Sequence, residues 1–173
     1  MGNRGFTLVE LVMAISIFAI LMAIAYPSYR QWHDQSSLDA DVMVLKGALA
    51  AARSRSIQEG LYWGRTAAPG ASGTICNRLY FGVSAAPGAS RLGLIYFCDQ
   101  DSDGDVDAPG EITTWATRSL GNGVAVTASS TLNNNRIWFD KGGEVFKSTG
   151  SVWLSVGSMA NSVTVANNGR IRE

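Results

Sequence analysis

The apolar and polar positions of this chain follow three patterns in turn. From Phe6 to Ala25 every residue is apolar except Thr7, Ser16 and a single ionisable side chain, Glu10. A run of about 20 apolar residues is what one helix needs to cross a bilayer's hydrocarbon, so residues 6–25 are expected to be transmembrane. Pro27 interrupts the pattern and predicts a kink or a local break. Tyr29, Arg30, Trp32 and His33 follow, residue types suited to the membrane–water boundary. Beyond them Leu38, Val42, Leu45, Leu49 and Ala52 recur at helical spacing, with Asp39, Asp41, Lys46, Arg53 and Arg55 available for the other faces. Gly60 is placed as a stop. One long helix over residues 6–59 is predicted, its 36–59 portion amphipathic and packed on a domain formed by residues 60–173.

The third pattern is that of strands. Short β-branched and aromatic segments succeed one another at 74–76, 79–83, 92–98, 111–116, 124–127, 136–140, 144–146, 152–156, 162–166 and 170–172, separated by Gly, Asn, Pro and Ser. Lys141-Gly142-Gly143 reads as a turn, and Asn167-Asn168-Gly169 is the strongest hairpin signal in the chain. The segment AAPGAS occurs at 67–72 and again at 85–90; two copies are too few for a repeat architecture, and both read as surface turns. The fold class expected is α+β, a long helix packed on antiparallel sheets.

Composition adds limits. The chain of 173 residues allows the helix and one domain. Nineteen glycines and 16% charged residues suit a turn-rich β domain. Fourteen basic and 14 acidic residues cancel, so nucleic-acid binding would have to rest on a local patch. His33 is the only histidine, which excludes a histidine metal set or a proton relay and leaves no nucleophile with a base partner; an enzyme is not expected. Cys76 and Cys98 fall in predicted strands. In an oxidising compartment a disulfide would close a loop of about 20 residues and contribute roughly 3 kcal/mol. Two free buried thiols are the alternative, and a zinc site the weaker one.

Asp99, Asp101, Asp103, Asp105 and Asp107 form the densest acidic cluster, with Gly104 between the third and fourth. The alternation follows the first part of a calcium loop, but its twelfth position holds Gly110, with Glu111 one residue late. Weak calcium binding and a solvated Asp/Gly-rich turn both remain open. No other cofactor is expected.

In a secretory signal the small residue of the cleavage site follows the apolar run; here Gly5 precedes it. Gly5-Phe6-Thr7-Leu8-Val9-Glu10 resembles the leader junction of the type IV pilin family. The resemblance implies that residues 1–5 are a leader, that a prepilin peptidase cuts after Gly5 and methylates Phe6, and that the helix is kept. It further implies an inner-membrane protein, with Arg4 on the cytoplasmic side and the head outside, that packs with other pilin or pseudopilin subunits. A carboxylate at membrane depth costs about 2.5–3.5 kcal/mol on insertion scales. A favourable helix dipole returns only ~0.3–1 kcal/mol. The resemblance implies that Glu10 is the assembly residue that meets the Phe6 amine of a neighbouring subunit, and these magnitudes favour that role over a helix-dipole one.

The closing residues narrow the resemblance. Asn135-Arg136-Ile137-Trp138-Phe139-Asp140 with Gly142-Gly143, and the ending Val163 to Arg172, resemble the closing strands of the GspH/FimT class of minor pilins and pseudopilins. This implies a minor subunit that helps initiate a type IV pilus or a type II secretion pseudopilus, near its tip. Gly169-Arg170-Ile171-Arg172 is also similar to the tail of FimT proteins, which bind DNA in natural transformation. On a strand Arg170 and Arg172 would share one face, and Arg136 and Lys141 would enlarge the patch if the closing strands are neighbours. An edge strand that carries arginine for solubility is the alternative.

Overall fold

The computed structural model describes residues 7–59, 78–99, 112–121, 123–130, 135–146 and 149–173, with backbone only at 78 and 128–130. These residues form two compact units divided between Ser36 and Ser37. The element order is one helix, α1 (Leu8–Glu59), then nine strands, β1 (Arg78–Ser84), β2 (Arg91–Asp99), β3 (Ile112–Ser119), β4 (Ala125–Ser130), β5 (Arg136–Phe139), β6 (Val145–Phe146), β7 (Gly150–Val156), β8 (Met159–Val165) and β9 (Ile171–Arg172).

The first unit is the apolar part of α1. Its side chains from Thr7 to His33 are all exposed, and its most apolar stretch has a mean hydropathy of 2.6 with nothing buried. A helix that is apolar all round needs a solvent other than water, either lipid or the helices of neighbours. Of the kink or break expected at Pro27, the break does not occur: α1 continues without interruption through that residue. Proline removes its own N–H from the ladder and crowds the carbonyl four residues earlier, but the helix is continuous on both sides of it.

The second unit begins where the period changes. Leu38, Val42, Leu45, Ala48, Leu49 and Ala52 are buried, as the spacing of apolar residues along 36–59 predicts. They pack with two antiparallel sheets, a five-stranded one ordered β3-β2-β1-β5-β6 and a four-stranded one ordered β4-β7-β8-β9. A single core joins all three layers: the helix stripe, Phe81, Val83, Leu92, Leu94, Ile137 and Phe139 from the first sheet, and Val152, Leu154, Val163 and Val165 from the second. Two polar side chains inside it fasten the helix to the sheets. Asp41 is buried and accepts the N–H of Gly121 at 2.7 Å. Ser56, fully buried, donates to the Phe139 carbonyl at 2.8 Å and lies against that of Asp140. A buried polar group without such partners would cost about 1–3 kcal/mol.

Nine of the ten expected strands coincide with β1–β9; the tenth, 74–76, lies outside the described residues. The second AAPGAS segment is the β1–β2 turn and ties the two sheets together, Gly88 N–H bonding the Val126 carbonyl and Val126 N–H that of Ala89. The first copy lies outside the described residues.

Within the five-stranded sheet, β1, β2 and β5 are buried on both faces. Tyr80, Ile95, Phe97 and Trp138 form a second cluster on the face away from the main core, with Tyr80 stacked on Phe97 (5.6 Å, 15°) and on Phe146 (4.2 Å, 25°). The run from Leu94 to Asp99 is therefore buried at every position.

Candidate functional site

Three places carry the chemistry read from the sequence. The first is the start of α1. Thr7 immediately precedes the helix, and Glu10 is its third residue. The Thr7 N–H and hydroxyl both donate to Glu10 Oε2, at 3.0 and 2.9 Å, and the Glu10 N–H donates to Thr7 Oγ1 at 3.2 Å. This is a capping box, in which cap and third residue satisfy each other's otherwise orphaned donors. The Thr-x-x-Glu spacing of this box is legible in the sequence. Both bonds donated by Thr7 fall on Oε2, and Oε1 has no bond to a described residue. Gly5 and Phe6 lie outside the described residues.

The second place is the end of β2. Cys98 is buried and disulfide-bonded; Cys76 lies outside the described residues. Asp99, the first residue of the expected calcium set, is fully buried as the last residue of β2. Asp101, Asp103, Asp105 and Asp107 lie outside the described residues, and among the described residues no cluster of His, Cys, Asp or Glu could hold a metal ion.

The third place is the pair of turns that close β5–β6 and β8–β9. Asp140 Oδ1 accepts the N–H groups of Gly142 and Glu144 and shapes the first turn. Asn168 Oδ1 accepts the Arg170 N–H in the second. Arg53, from α1, joins the two turns, donating to the Gly143 carbonyl at 2.9 Å and to that of Asn168 at 3.4 Å, while Val145 N–H bonds the Asn167 carbonyl. Both turns need glycine: Gly143 and Gly169 have φ of 73° and 70°, and a Cβ on Gly169 would stand 2.0 Å from the Gly143 carbonyl oxygen.

These turns decide which basic residues meet. Lys141 and Arg170 lie in adjacent turns, both exposed, and Arg172 follows in β9. Arg136 does not join them. It begins β5, opposite Ser84 of β1, a strand's length from the Lys141 turn. The condition for its joining, that the closing strands be neighbours, is not met by β5 and β9, which belong to different sheets. Arg170 and Arg172 are both exposed on either side of half-buried Ile171, although only Ile171–Arg172 is strand. Among the described residues neither guanidinium has an ion-pair partner.

Glu173 is held elsewhere. Its Oε2 pairs with Lys46 of α1, and its Oε1 accepts from Asn161 of β8 at 2.9 Å. The hydrogen bond from Lys46, then that from Asn161, lowers its pKa below the usual glutamate range. A lowered folded-state value stabilises the fold above the unfolded pKa, and the effect is lost as pH falls through the folded value. Lys46→Met is expected to return the Glu173 carboxyl titration toward the ordinary glutamate value, as followed by carbon-detected NMR. An unchanged titration would show that Lys46 does not set it.

Comparison with known proteins follows the same division. A family profile described as the prokaryotic N-terminal methylation motif matches residues 1–26. The fimbrial protein of Neisseria meningitidis serogroup B is 28% identical over 70 residues, covering 40% of this chain; the chain spans about two fifths (41%) of that relative's length. Two structures of the minor pseudopilin EpsH from the type 2 secretion system of Vibrio cholerae share the fold. One has a TM-score of 0.51 at 13% identity, over 79% of this chain and 94% of that one. The other has a TM-score of 0.52 at 12% identity, over 79% and 92%.

Proposed function

We propose that this type IV pilin-like chain is a minor subunit that enters a type IV pilus or type II secretion pseudopilus and helps to initiate its assembly near the tip. The observation that carries this reading is the start of α1: a methylation motif leads directly into a helix whose side chains are all exposed as far as His33, with one acid at its third position. Such a helix is soluble only in lipid or among similar helices. In this reading a prepilin peptidase cuts after Gly5 and methylates Phe6, and the inner membrane holds the helix until assembly. Glu10 then offers Oε1 to a neighbour's amine, while the β-rich head faces outside the cytoplasm. Cys76 is the partner we assign to Cys98, which suits an oxidising compartment.

Immunogold labelling of sheared filaments tests the position. Gold confined to filament ends, in amounts far below the major subunit, is expected; label spread evenly along the filament would overturn the tip assignment, and none at all the assembly role.

A second reading, DNA binding during uptake, draws on the exposed Arg170 and Arg172 and on the engagement of Glu173 with Lys46 and Asn161. Two guanidiniums grip few phosphates, so affinity would fall as salt rises, with a slope close to the small number of phosphates neutralised.

A further inference from the structure

On the outer face of the four-stranded sheet, β7 alternates regularly. Val152, Leu154 and Val156 are buried, while Trp153 points outward with 41% of its surface exposed. Among the described residues from 37 onward, Met43, Ile57 and Trp153 are the large apolar side chains left exposed, and Trp153 is the aromatic one. The register sets its surroundings. Ser162 lies directly across on β8, and Ser151, Thr164 and Arg172 form one row over three strands. Arg172 is two strands over and two residues along from Trp153, about 10 Å by 7 Å from the usual sheet spacings.

The other outward groups are small, and several satisfy one another. Ser151 and Thr164 share a hydrogen bond of 2.7 Å, and Thr127 bonds Ser155. A sugar would have to compete for those hydroxyls. A flat base stacked on the indole would not. Arg172 shares this face, and Arg170 lies in the turn that leads into β9; neither has an ion-pair partner among the described residues, and the adjacent carboxylate of Glu173 is occupied by Lys46 and Asn161. An exposed ring with Arg172 two strands away on the same face, and Arg170 before it, neither in an ion pair among the described residues, suits a polymer that alternates flat bases with phosphates.

We propose that this face binds single-stranded nucleic acid, Trp153 stacking a base while Arg172 and Arg170 hold the neighbouring phosphates. The proposal rests on the DNA-binding reading and goes beyond it in naming the strandedness and the stacking residue. Base–aromatic contacts tolerate any sequence because every base has a π-face, so no sequence preference is expected. A duplex keeps its bases inside and would engage the arginines alone.

The test uses the full chain in detergent micelles at low salt, with a labelled oligothymidine and a duplex of equal length, read by fluorescence anisotropy. The wild type should bind the single strand more tightly than the duplex. Trp153→Ala should weaken single-strand binding roughly five- to hundredfold and leave duplex binding unchanged, with Trp153→Phe retaining most of the affinity. Arg170→Ala with Arg172→Ala should weaken both. If Trp153→Ala binds the single strand like the wild type while the arginine variant weakens both forms, stacking is overturned and the DNA reading stands. If neither nucleic acid binds the wild type, the DNA reading fails and the proposal with it. Binding of a neutral glucan that Trp153→Ala abolishes, without oligonucleotide binding, would overturn it in favour of a saccharide.

Discussion

Gly82→Ala is expected to lower the melting temperature of the head by roughly 10 °C or to prevent its folding. Gly82 sits in β1, between β2 and β5, paired with Ile95 on one side and Trp138 on the other. A Cβ there would stand 2.2 Å from the Ile137 carbonyl oxygen and 2.7 Å from Cε3 of Trp138. The first obstacle is backbone, and a rotamer change cannot clear it. Relief requires β5 to move away from β1, which stretches the ladder that pairs Phe81 with Phe139 and Gly82 with Trp138 and unseats Trp138 from Phe97, 5.7 Å away. Overpacking in a core costs about 1–3 kcal/mol and occasionally more; a clash with a central strand belongs at the upper end. In a chain of this size ~1 kcal/mol moves the midpoint by about 2–4 °C. Thermal unfolding followed by near-ultraviolet circular dichroism gives the measurement. A midpoint within 2 °C of the wild type would show that the sheet yields without loss.

Gly82 also marks where the sequence stops being legible. The helix was readable because its two halves use different solvents: the apolar run has no polar face, and the stripe from Leu38 to Ala52 has one. Strand positions were readable because turn residues bound them. Strand partners were not. The pairing of β1 with β5 joins residues more than fifty positions apart, with no local signal, and it is this pairing that requires glycine at 82. The same gap misplaced Arg136, since sequence order suggests that the closing strands lie together and the topology divides them between two sheets. Trp153 was legible as a strand residue, but only the register of β7, β8 and β9 puts it on one face with Arg172.

Two buried features were hidden for another reason. The sheet face built from Tyr80, Phe97 and Trp138 came from segments that read as ordinary hairpin strands, because a continuous apolar run does not say whether one face or two are covered. Arg53 looked like a solvated charge on the polar side of the helix. Its guanidinium instead satisfies two turn carbonyls, a role set by where distant turns arrive and not by the helical period.

Glu10→Ala is expected to leave processing intact and to reduce the chain in sheared filaments more than tenfold relative to the membrane fraction. The substitution removes two things at once, the charge and the cap, and the structure shows how to part them. Glutamine also serves at the third position of a capping box, so Glu10→Gln keeps the bonds with Thr7 and loses only the charge. Thr7→Ala does the reverse, giving up about 1 kcal/mol of helix capping while the carboxylate stays. If a neighbouring subunit's amine is the partner, Glu10→Gln fails to enter filaments as Glu10→Ala does, and Thr7→Ala enters them. If the cap is all that Glu10 provides, the order reverses. Processing is checked on the same blots by mass: Gly5→Ala should retain the five leader residues, whereas the Glu10 and Thr7 variants should not. Wild-type amounts of Glu10→Gln in filaments would refute the pairing, because a carboxylate whose second oxygen bonds no described residue would then have no use for its charge. Its insertion cost of about 2.5–3.5 kcal/mol would be left without an offset larger than a helix cap.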